Sequence, residues 1–461
     1  MEITPTIRAE LERYLKQAGL SMTGFGHIAG MNPGTVSGII TGNRTISVHQ
    51  LDRITLGMNL PADHFYERYI EESVIDAPLN WKRISPFLYR CVQFQRVDCL
   101  QKVVSMLLDN LGYLPYLFAL AEDCYEQDYR EAAAYLYENI AEGEKQQHSE
   151  RLAICHYRLF TIAIGKDQNR NMDAAAKFES FVHRLHEMDQ LDALKDLANV
   201  YRALSQWDKV YKYAKQMGQL GIIYYGMVHN SERKEKEPQK KLSRPLFVYI
   251  AYAELMCAHA CDAKGDHEQA LVHLQGYADL SWVKETDPDT LHWMGQFQRW
   301  VKINTYVNKL MSGDVSILPD YVEYIAGEKH IFNELLNVIE AANRYNIDVD
   351  HIFQRFESKI AAYQEPSSVD PFLLQQRARF WYKMAKYSLN KGRYSYGFKC
   401  LIDALEKAGT INHVLLIANC AGLFDCFRAY AAPEILAQFH STYQEVWKEN
   451  DQKDGFALGS N

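Results

Sequence analysis

The segment LSMTGFGHIAGMNPGTVSGIITGNRTI, Leu20–Ile46, contains helix start and stop signals that alternate at short intervals. Ser21 has a side chain that caps helix N-termini, so we predict a short helix that begins there and buries Phe25 and Ile28. Gly30 adopts a left-handed backbone without strain, and we expect it to end this helix.

A second short helix is predicted directly after this turn. Asn32 is a suitable cap, and Pro33 would occupy the first helical position, where a missing N–H costs nothing. We expect Gly42 to stop the helix. Its apolar face would consist of Val36, Ile39 and Ile40. Two short helices joined by a glycine turn form a helix-turn-helix unit, whose second helix enters the major groove of DNA.

Helices are also predicted on both sides of this unit. Residues 4–18 form an amphipathic helix with Ile7, Leu11, Tyr14 and Leu15 on one face. Ser47 caps a fourth helix that buries Leu51 and Ile54, and Pro61 opens a fifth that contributes Phe65 and Tyr66. We therefore place a first domain at residues 1–66. The polar residues 67–80, which include Pro78, are predicted to form a linker.

Residues 4–66 resemble the bacterial Xre/Cro-type helix-turn-helix domain. The spacing of the glycines, of the buried residues and of the fourth helix cap matches that family over the whole domain. The matching residues are Leu20, Ser21, Phe25, Gly26, Ala29, Gly30, Val36, Ser37, Gly42, Asn43, Arg44, Ser47, Leu51, Ile54 and Phe65. This resemblance implies that the first domain binds double-stranded DNA.

The composition is that of an ordinary globular protein, with 461 residues, 48% of them hydrophobic, and a net charge of −8. Binding to nucleic acid would therefore depend on a local basic patch rather than on overall charge. The nine cysteines form no CxxC pair, which favours reduced thiols in a cytoplasmic protein. We expect no membrane partner, because no apolar run reaches roughly 18 residues and the N-terminus does not resemble a signal peptide.

From Trp81 onward the sequence predicts helix after helix, and four windows share one pattern. In each window an aromatic residue or His precedes a small or aliphatic residue by three positions. In three windows another small residue lies twelve positions earlier. The aromatic or His positions are Tyr129, Trp207, His267 and Tyr394. The windows resemble degenerate tetratricopeptide repeats, which coil into a superhelix with a concave groove. The alternative is a generic helical bundle.

We expect this all-α repeat array to occupy residues 81–448. Within it, the charged segment Asn230–Arg244 is better explained as an exposed loop than as a nucleic-acid-binding segment. Residues 449–461 are predicted to be a flexible tail.

The sequence contains no motif that indicates an enzyme, since Walker, HExxH and GxSxG patterns are all absent. We therefore expect no catalytic residues, no cofactor and no metal site. His183 and His186 are explained by a polar helix end. The Cys257 and Cys261 pair is better read as core thiols than as metal ligands.

The second helix of the predicted helix-turn-helix unit is poor in side chains that read bases. The positions that usually do so in this family hold Pro33, Gly34 and Gly38. Residues 1–66 are also formally neutral, which limits the gain from counterion release. We expect weak monomer binding that is strengthened by dimerisation on two half-sites. The candidate DNA-binding residues are Asn32, Thr35, Ser37, Thr41, Asn43 and Arg44.

The concave groove of the predicted array is the second candidate site. Asparagine suits an extended peptide because its amide both donates to and accepts from a backbone, and lysine can take a carboxylate. Placing the repeat pattern on the chain puts Asp262 and Lys386 on inner helix faces. The candidate peptide-binding residues are Lys195, Asn199, Arg202, His259, Arg379 and Tyr382, with Asn337 and Asn419 on later helices.

A helix-turn-helix domain followed by tetratricopeptide-like repeats resembles the RRNPP group of peptide-pheromone receptors (Rap, Rgg, NprR, PlcR and PrgX types) and the phage arbitrium receptors. The resemblance implies a cytoplasmic homodimer and quorum-sensing transcription regulator that binds a short linear signalling peptide in the groove. Rap-type members act through partner proteins instead. The alternative is therefore a protein-interaction regulator whose helix-turn-helix serves docking or dimerisation.

Overall fold

The chain is all-α, as the sequence predicts. The structure is a computed structural model that describes residues 5–75, 79–146, 149–230, 242–327, 331–361 and 370–455. These residues form α-helices, short 3-10 turns and one π-helical turn, with no β-strand among them. The chain divides into two compact units, Met1–Ile162 and Ala163–Asn461, which are described separately below.

The first unit consists of short helices that become longer after residue 80. They are α1 (Ile7–Ala18), α2 (Met22–Ala29), α3 (Pro33–Ile40), α4 (Val48–Gly57), α5 (Tyr66–Tyr69), α6 (Trp81–Gln93), α7 (Val97–Leu108), α8 (Leu114–Glu126), α9 (Arg130–Gly143) and α10 (Glu150–Ala163), which crosses the unit boundary.

The predicted helix caps of α2, α3 and α4 are confirmed. Ser21 Oγ accepts a hydrogen bond from a first-turn N–H of α2 at 3.0 Å, and Asn32 Oδ1 does the same for α3 at 2.8 Å. Gly30 ends α2 in the left-handed conformation, at φ 61°. Ser47 and Gln50 form a reciprocal capping box at the start of α4. Local sequence signals therefore fix the bounds of these helices.

The core of the first helices is largely the predicted one, with one error. Phe25 is fully buried, but Ile28 of the same helix is 56% exposed. The buried face of α2 consists of Phe25, Gly26 and Ala29. At 3.6 residues per turn, Ile28 lies about 100° around the helix axis from the middle of that face. The prediction failed because Gly26, which has no side chain, lies on the packed face of α2.

Much of the segment predicted as a linker is helical. Residues 66–69 form α5, and Ile70–Ile75 continue it as a π-helical turn. Tyr69, Ile70 and Val74 are buried, and Arg96 Nη2 lies 2.9 Å from Glu67 Oε1. Residues 76–78 lie outside the described part. Residues 67–75 are therefore packed into the first unit.

The second unit consists of helices arranged mostly as hairpins. They are α11 (Gln168–Phe178), α12 (Glu187–Ala203), α13 (Trp207–Asn230), α14 (Leu246–Lys264), α15 (His267–Gly276), α16 (Pro288–Met311), α17 (Leu318–Ala326), α18 (Phe332–Tyr345), α19 (Asp350–Ala361), α20 (Pro371–Asn390), α21 (Tyr394–Thr410), α22 (Val414–Phe427) and α23 (Pro433–Gly455).

Each of the four repeat-like windows is a helical hairpin, namely α8 with α9, α12 with α13, α14 with α15, and α20 with α21. Each turn contains one residue with a positive φ: Asp128, Ser205, Gly265 or Gly392. The small residues of the pattern lie at helix contacts. At Gly397 an added Cβ would lie 2.7 Å from Leu389 Cγ, so this position in α21 requires glycine for the close approach to α20.

The second unit also contains contacts between helices that are far apart in sequence. Gln168 at the start of α11 donates its backbone N–H to the carbonyl of Ile411, just after α21, at 2.8 Å. Gln375 of α20 donates to Ser205 Oγ at 3.2 Å across 170 residues of sequence. In an open repeat stack, helices contact only neighbouring repeats. Here the first helices of the unit meet α20 and α21 instead.

One described helix, α14, is long and apolar enough to cross a membrane by length and composition. The pair α7 and α8 passes the same test only as a span bent by 119°. Two-thirds of the most apolar window of α14 is buried inside the second unit, as in the core helix of a soluble protein.

Two segments predicted to be irregular are partly helical. Helix α13 extends to Asn230, at the start of the predicted loop, and residues 231–241 lie outside the described part. In the predicted tail, α23 continues to Gly455, and residues 456–461 lie outside the described part.

Candidate functional site

The second unit contains a cavity of about 1380 Å³ that is open to solvent on one side. Helices α12, α14, α16, α18, α20 and α22 all contribute to its wall. On α20 the lining positions include Arg379, Tyr382 and Lys386, which recur at helical spacing. One face of each of these helices therefore points into a common interior.

Six of the eight predicted peptide-binding residues line this cavity. The repeat pattern placed four of them on inner helix faces, whereas Asn337 and Asn419 were named on later helices whose facing the sequence left open. The structure brings all six together from five different helices. They are Arg202, His259, Asn337, Arg379, Tyr382 and Asn419. Asp262 and Lys386, which the repeat pattern also placed on inner faces, line it as well.

Lys195 and Asn199 were predicted on the same wall but do not line the cavity. Lys195 Nζ lies 2.8 Å from both Asp192 Oδ1 and Ser243 Oγ, so its charge is already paired. Asn199 Oδ1 accepts a 2.6 Å hydrogen bond from the hydroxyl of Tyr252, a lining residue. Asn199 therefore orients the lining residue Tyr252 without lining the cavity itself.

The lining of the cavity is more basic than acidic. Six lining residues are Arg or Lys, and three are Asp or Glu. Glu340 neutralises part of this charge, since its carboxylate lies 2.8 Å from Lys383 and 3.3 Å from Arg379. Burial raises the pKa of Asp262 above its ordinary value despite hydrogen bonds from His267 and Asn308. The cavity therefore favours a ligand with a net negative charge.

Glu340 also makes stability depend on pH. Burial alone would raise its pKa, but the charges of Arg379 and Lys383 outweigh burial and lower it below its ordinary value of 4.5. A carboxyl with a lowered folded-state pKa stabilises the protein above its unfolded-state pKa, and this stabilisation is lost as pH falls.

We expect Glu340→Gln to lower the melting temperature at pH 7, with the difference from wild type shrinking as pH falls below about 4.5. Thermal melts between pH 3 and 7 measure this. The control is Glu323→Gln, because Glu323 is 74% exposed in its ion pair with Arg355 and should matter little at any pH. A difference at Glu340 that stays constant down to pH 3 would contradict the charge pairing.

Several lining residues carry polar atoms without a hydrogen-bond partner among the described residues. Two of these atoms are donors, namely Arg202 Nε and His413 Nε2. The Nδ1 atom of His413 accepts a hydrogen bond from the N–H of Leu416, so the neutral ring carries its proton on Nε2. Other atoms are acceptors, among them the side-chain carbonyl oxygens of Asn343, Gln375 and Gln376. Buried polar groups are normally paired, so these atoms favour a ligand that brings both donors and acceptors.

The two histidines of the wall are neutral near pH 7. Burial, aided by the nearby charge of Arg202, lowers the pKa of His259 to about 4. Burial and the charge of Arg379 also lower the pKa of His413. Both rings therefore act as hydrogen-bonding groups rather than as cations.

Aromatic rings lie between the polar groups of the wall. Trp207, Tyr252, Trp300 and Phe372 all line the cavity. The guanidinium of Arg202 lies 3.8 Å from the centroid of the Phe372 ring, which orients it without a carboxylate. The wall thus combines apolar aromatic surface with hydrogen-bonding groups.

Sequence reasoning missed most of the wall made by α16 and α18, where it had named Asn337 alone. Asn304 of α16 and Asn333, Glu340 and Asn343 of α18 all line the cavity. A signal was present, because Asn333, Asn337, Glu340 and Arg344 form a polar stripe at helical spacing, opposite the buried apolar face of the same helix. The repeat pattern does not extend to α16 or α18.

The candidate DNA-binding residues lie on one short helix and the turn after it. Asn32, Thr41, Asn43 and Arg44 are exposed, and Thr35 and Ser37 are partly so. Two of these side chains have structural roles, since Asn32 caps α3 and the hydroxyl of Thr41 donates to the carbonyl of Ser37 at 2.9 Å.

Residues 1–66 are formally neutral, but several of their acidic side chains are paired with cations from outside this range. Asp52 pairs with Arg90 at 2.8 Å, Asp63 pairs with Arg96 at 3.0 Å, and Glu10 pairs with Arg68. Each of these cations lies beyond residue 66. Within residues 5–75, none of the ion pairs involves the arginines Arg8, Arg13, Arg44 or Arg53. These arginines are therefore available for an anionic partner.

The cysteines behave as buried thiols. All are free, and Cys426 alone is exposed. Burial raises the pKa of Cys257 to about 12 and also raises that of Cys261. Among the described residues, no group of three or more His, Cys, Asp or Glu could hold a metal ion. Cys257 and Cys261 are core thiols, as predicted.

Comparison of the chain with protein-family models and with curated proteins finds no match in either set.

Proposed function

We propose that this protein is a cytoplasmic transcription regulator that binds a short linear peptide in the cavity of its second unit and double-stranded DNA through α2 and α3. Peptide binding would change DNA binding only to the extent that the peptide prefers one conformation of the protein. A homodimer that engages two half-sites is part of this proposal.

The observation that carries the proposal is the lining of the cavity. Its volume of about 1380 Å³ exceeds the roughly 300–1,000 Å³ of typical small-molecule pockets. The unpartnered donors and acceptors described above are chemically complementary to the C=O and N–H groups of a peptide backbone. The neighbouring rings of Trp207, Trp300 and Phe372 offer contacts to side chains. A peptide satisfies all of these features together.

The charge of the cavity narrows the class of peptide. The excess of Arg and Lys in the lining favours a peptide with acidic side chains or a free C-terminal carboxylate. Arg202, which has no carboxylate partner among the described ion pairs, is the strongest candidate for this contact.

The proposed DNA surface is supported by the geometry of α2 and α3. Two capped helices of eight residues each are joined by a turn at Gly30. This is the order and length of elements in a helix-turn-helix unit. Arg8 and Arg44 lie beside α3, and Arg53 Nη1 lies 3.5 Å from the carbonyl of Ala29 at the end of α2. The second helix is therefore flanked by unpaired cations that suit DNA phosphates.

The alternative is a protein-interaction regulator in which α2 and α3 serve docking. It is favoured by one observation, namely that Pro33, Gly34 and Gly38 leave the exposed side of α3 without hydrogen-bonding side chains from these positions.

Fluorescence anisotropy with labelled duplex DNA separates the two functions. We would measure the full-length protein on the DNA flanking its own gene across a salt series, with and without members of a synthetic peptide library. Sequence-specific, salt-dependent binding that changes with one peptide supports the proposal. Binding to none of the duplexes, even at low salt, would exclude it in favour of the docking alternative.

We expect Arg53→Ala to weaken binding to all DNA sequences about equally and to reduce the salt slope of log K by about one. The reason is that Arg53 lies at the junction of α2 and α3 with no ion pair among the described residues, so a phosphate would be its partner. The matched control is Lys16→Ala, because Lys16 is exposed and already paired with Glu12 at 2.8 Å. An unchanged slope in Arg53→Ala would remove this residue from the DNA surface.

A further inference from the structure

Helix α3 has a strip without large side chains on its solvent side. Gly34 is exposed and Gly38 is partly exposed. A Cβ added to Gly34 would have only Asn32 Oδ1 within 4 Å, at 3.2 Å. These positions therefore supply no side chain that could contact a base.

Arg44 occupies part of this strip although it lies beyond the end of α3. Its backbone N–H donates to the carbonyl of Gly38 at 3.0 Å, and its own carbonyl accepts from Arg8 Nη2 at 3.2 Å. Its Cδ and Cγ lie 3.2 and 3.3 Å from the point that a Cβ on Gly38 would occupy. The aliphatic part of Arg44 thus lies across the helix in the space that Gly38 leaves open.

The guanidinium of Arg44 points back toward the start of α3. Its Nη1 donates to Thr35 Oγ1 at 3.2 Å. Thr35 is the third residue of α3, and in helix-turn-helix proteins the N-terminal residues of the second helix contact base edges. A residue from the following turn therefore places its charged group at the level where bases are read. Most of its five N–H donors remain free for a ligand.

We propose that Arg44 reads a base by donating two hydrogen bonds to O6 and N7 of a guanine in the major groove, and that Gly38 provides the space that lets it reach there. This inference rests on the proposed DNA-binding function and assigns its specificity. Phosphate contact is the other role open to Arg44. The two roles differ because a lysine can replace an arginine at a phosphate, whereas at a guanine its flexible ammonium does not reproduce the rigid planar fork of arginine.

The test is selection of binding sites from a randomised duplex pool by the full-length protein. Wild type is compared with the Arg44→Lys, Arg44→Ala and Gly38→Ala variants, and with Arg13→Lys as the control. Arg13 is an exposed arginine of α1 without an ion pair among the described residues. Thermal melts confirm that each variant is folded, and affinities for the selected site are then measured across a salt series.

We expect wild type and Arg13→Lys to select the same site with a required G·C pair. Arg44→Ala should lose roughly 5- to 150-fold discrimination at that one pair while keeping the others, and Arg44→Lys should lose part of this discrimination. Gly38→Ala should weaken the same preference, because its Cβ would displace the Arg44 side chain while leaving the charge in place.

Two other outcomes would overturn the inference, and they can be told apart. If Arg44→Lys selects the wild-type site and Arg44→Ala only lowers affinity evenly, with a salt slope reduced by about one, then Arg44 contacts a phosphate. If wild type enriches no sequence at any salt concentration, then the proposed DNA-binding function itself fails.

Discussion

Replacing Arg202 with alanine is expected to weaken peptide binding by roughly 10- to 150-fold, the cost of losing a hydrogen bond to a charged group. Arg202 is held over the ring of Phe372 and has an unpartnered Nε at the cavity wall. Ordered in this way, its guanidinium would bind a carboxylate or a peptide carbonyl with little loss of side-chain entropy.

Isothermal titration calorimetry measures this effect, with a peptide first selected on wild type from a synthetic library. Arg355→Ala is the matched control, because Arg355 is a partly exposed arginine of α19 that pairs with Glu323 and does not line the cavity. Melting temperatures of both variants should remain close to wild type. Equal affinities for Arg202→Ala, Arg355→Ala and wild type would show that the peptide binds elsewhere.

Replacing Gly218 with alanine is expected to destabilise the second unit by about 1–3 kcal/mol through overpacking. Gly218 is buried in α13, and an added Cβ would lie 2.8 Å from Ala253 Cβ of α14. A Cβ atom is fixed to its backbone, so the two helices themselves would have to move apart. For a domain of this size the melting temperature should fall by roughly 2–12 °C.

Gly295→Ala provides a control with the opposite sign. Gly295 lies in an exposed position of α16, and an added Cβ would meet no atom within 4 Å. Alanine is favoured over glycine in a helix by roughly 0.5–1 kcal/mol, so this variant should melt slightly higher than wild type. If both variants shift the melting temperature in the same direction, then α13 and α14 do not approach as closely as described.

Local sequence signals predicted the parts of the fold that depend on local chemistry. The caps at Ser21, Asn32 and Ser47 lie where the sequence placed them, because each satisfies backbone donors within its own helix. The spacing of Trp207, His267 and Tyr394 likewise marked the start of the second helix of each hairpin. These features require no knowledge of distant contacts.

Features that depend on distant contacts were not predictable in this way. Counting the charged residues of the first domain gives a net charge near zero. The count could not show that Asp52 and Asp63 pair with arginines beyond residue 66. Lys195 lies on α12, which contributes to the cavity wall, but the sequence could not show that its ammonium contacts Asp192 and Ser243. The polar stripe of α18 could not be assigned to the cavity from the sequence, because the helices that face it are distant along the chain.

The contacts that join α11 and α12 to α20 and α21 have a consequence for how the second unit unfolds. In a linear stack of repeats the terminal helices can fray one after another, and truncated forms remain folded. Here the first helices of the unit are secured by the backbone bond from Gln168 to Ile411 and by the side chain of Gln375. Because of these contacts, removing the helices at either end would expose the interior of the unit. The unit should therefore melt cooperatively, and it should not stay folded when it is truncated at either end. Its folding should also be slow for a helical protein, because these contacts close loops of 170 residues or more.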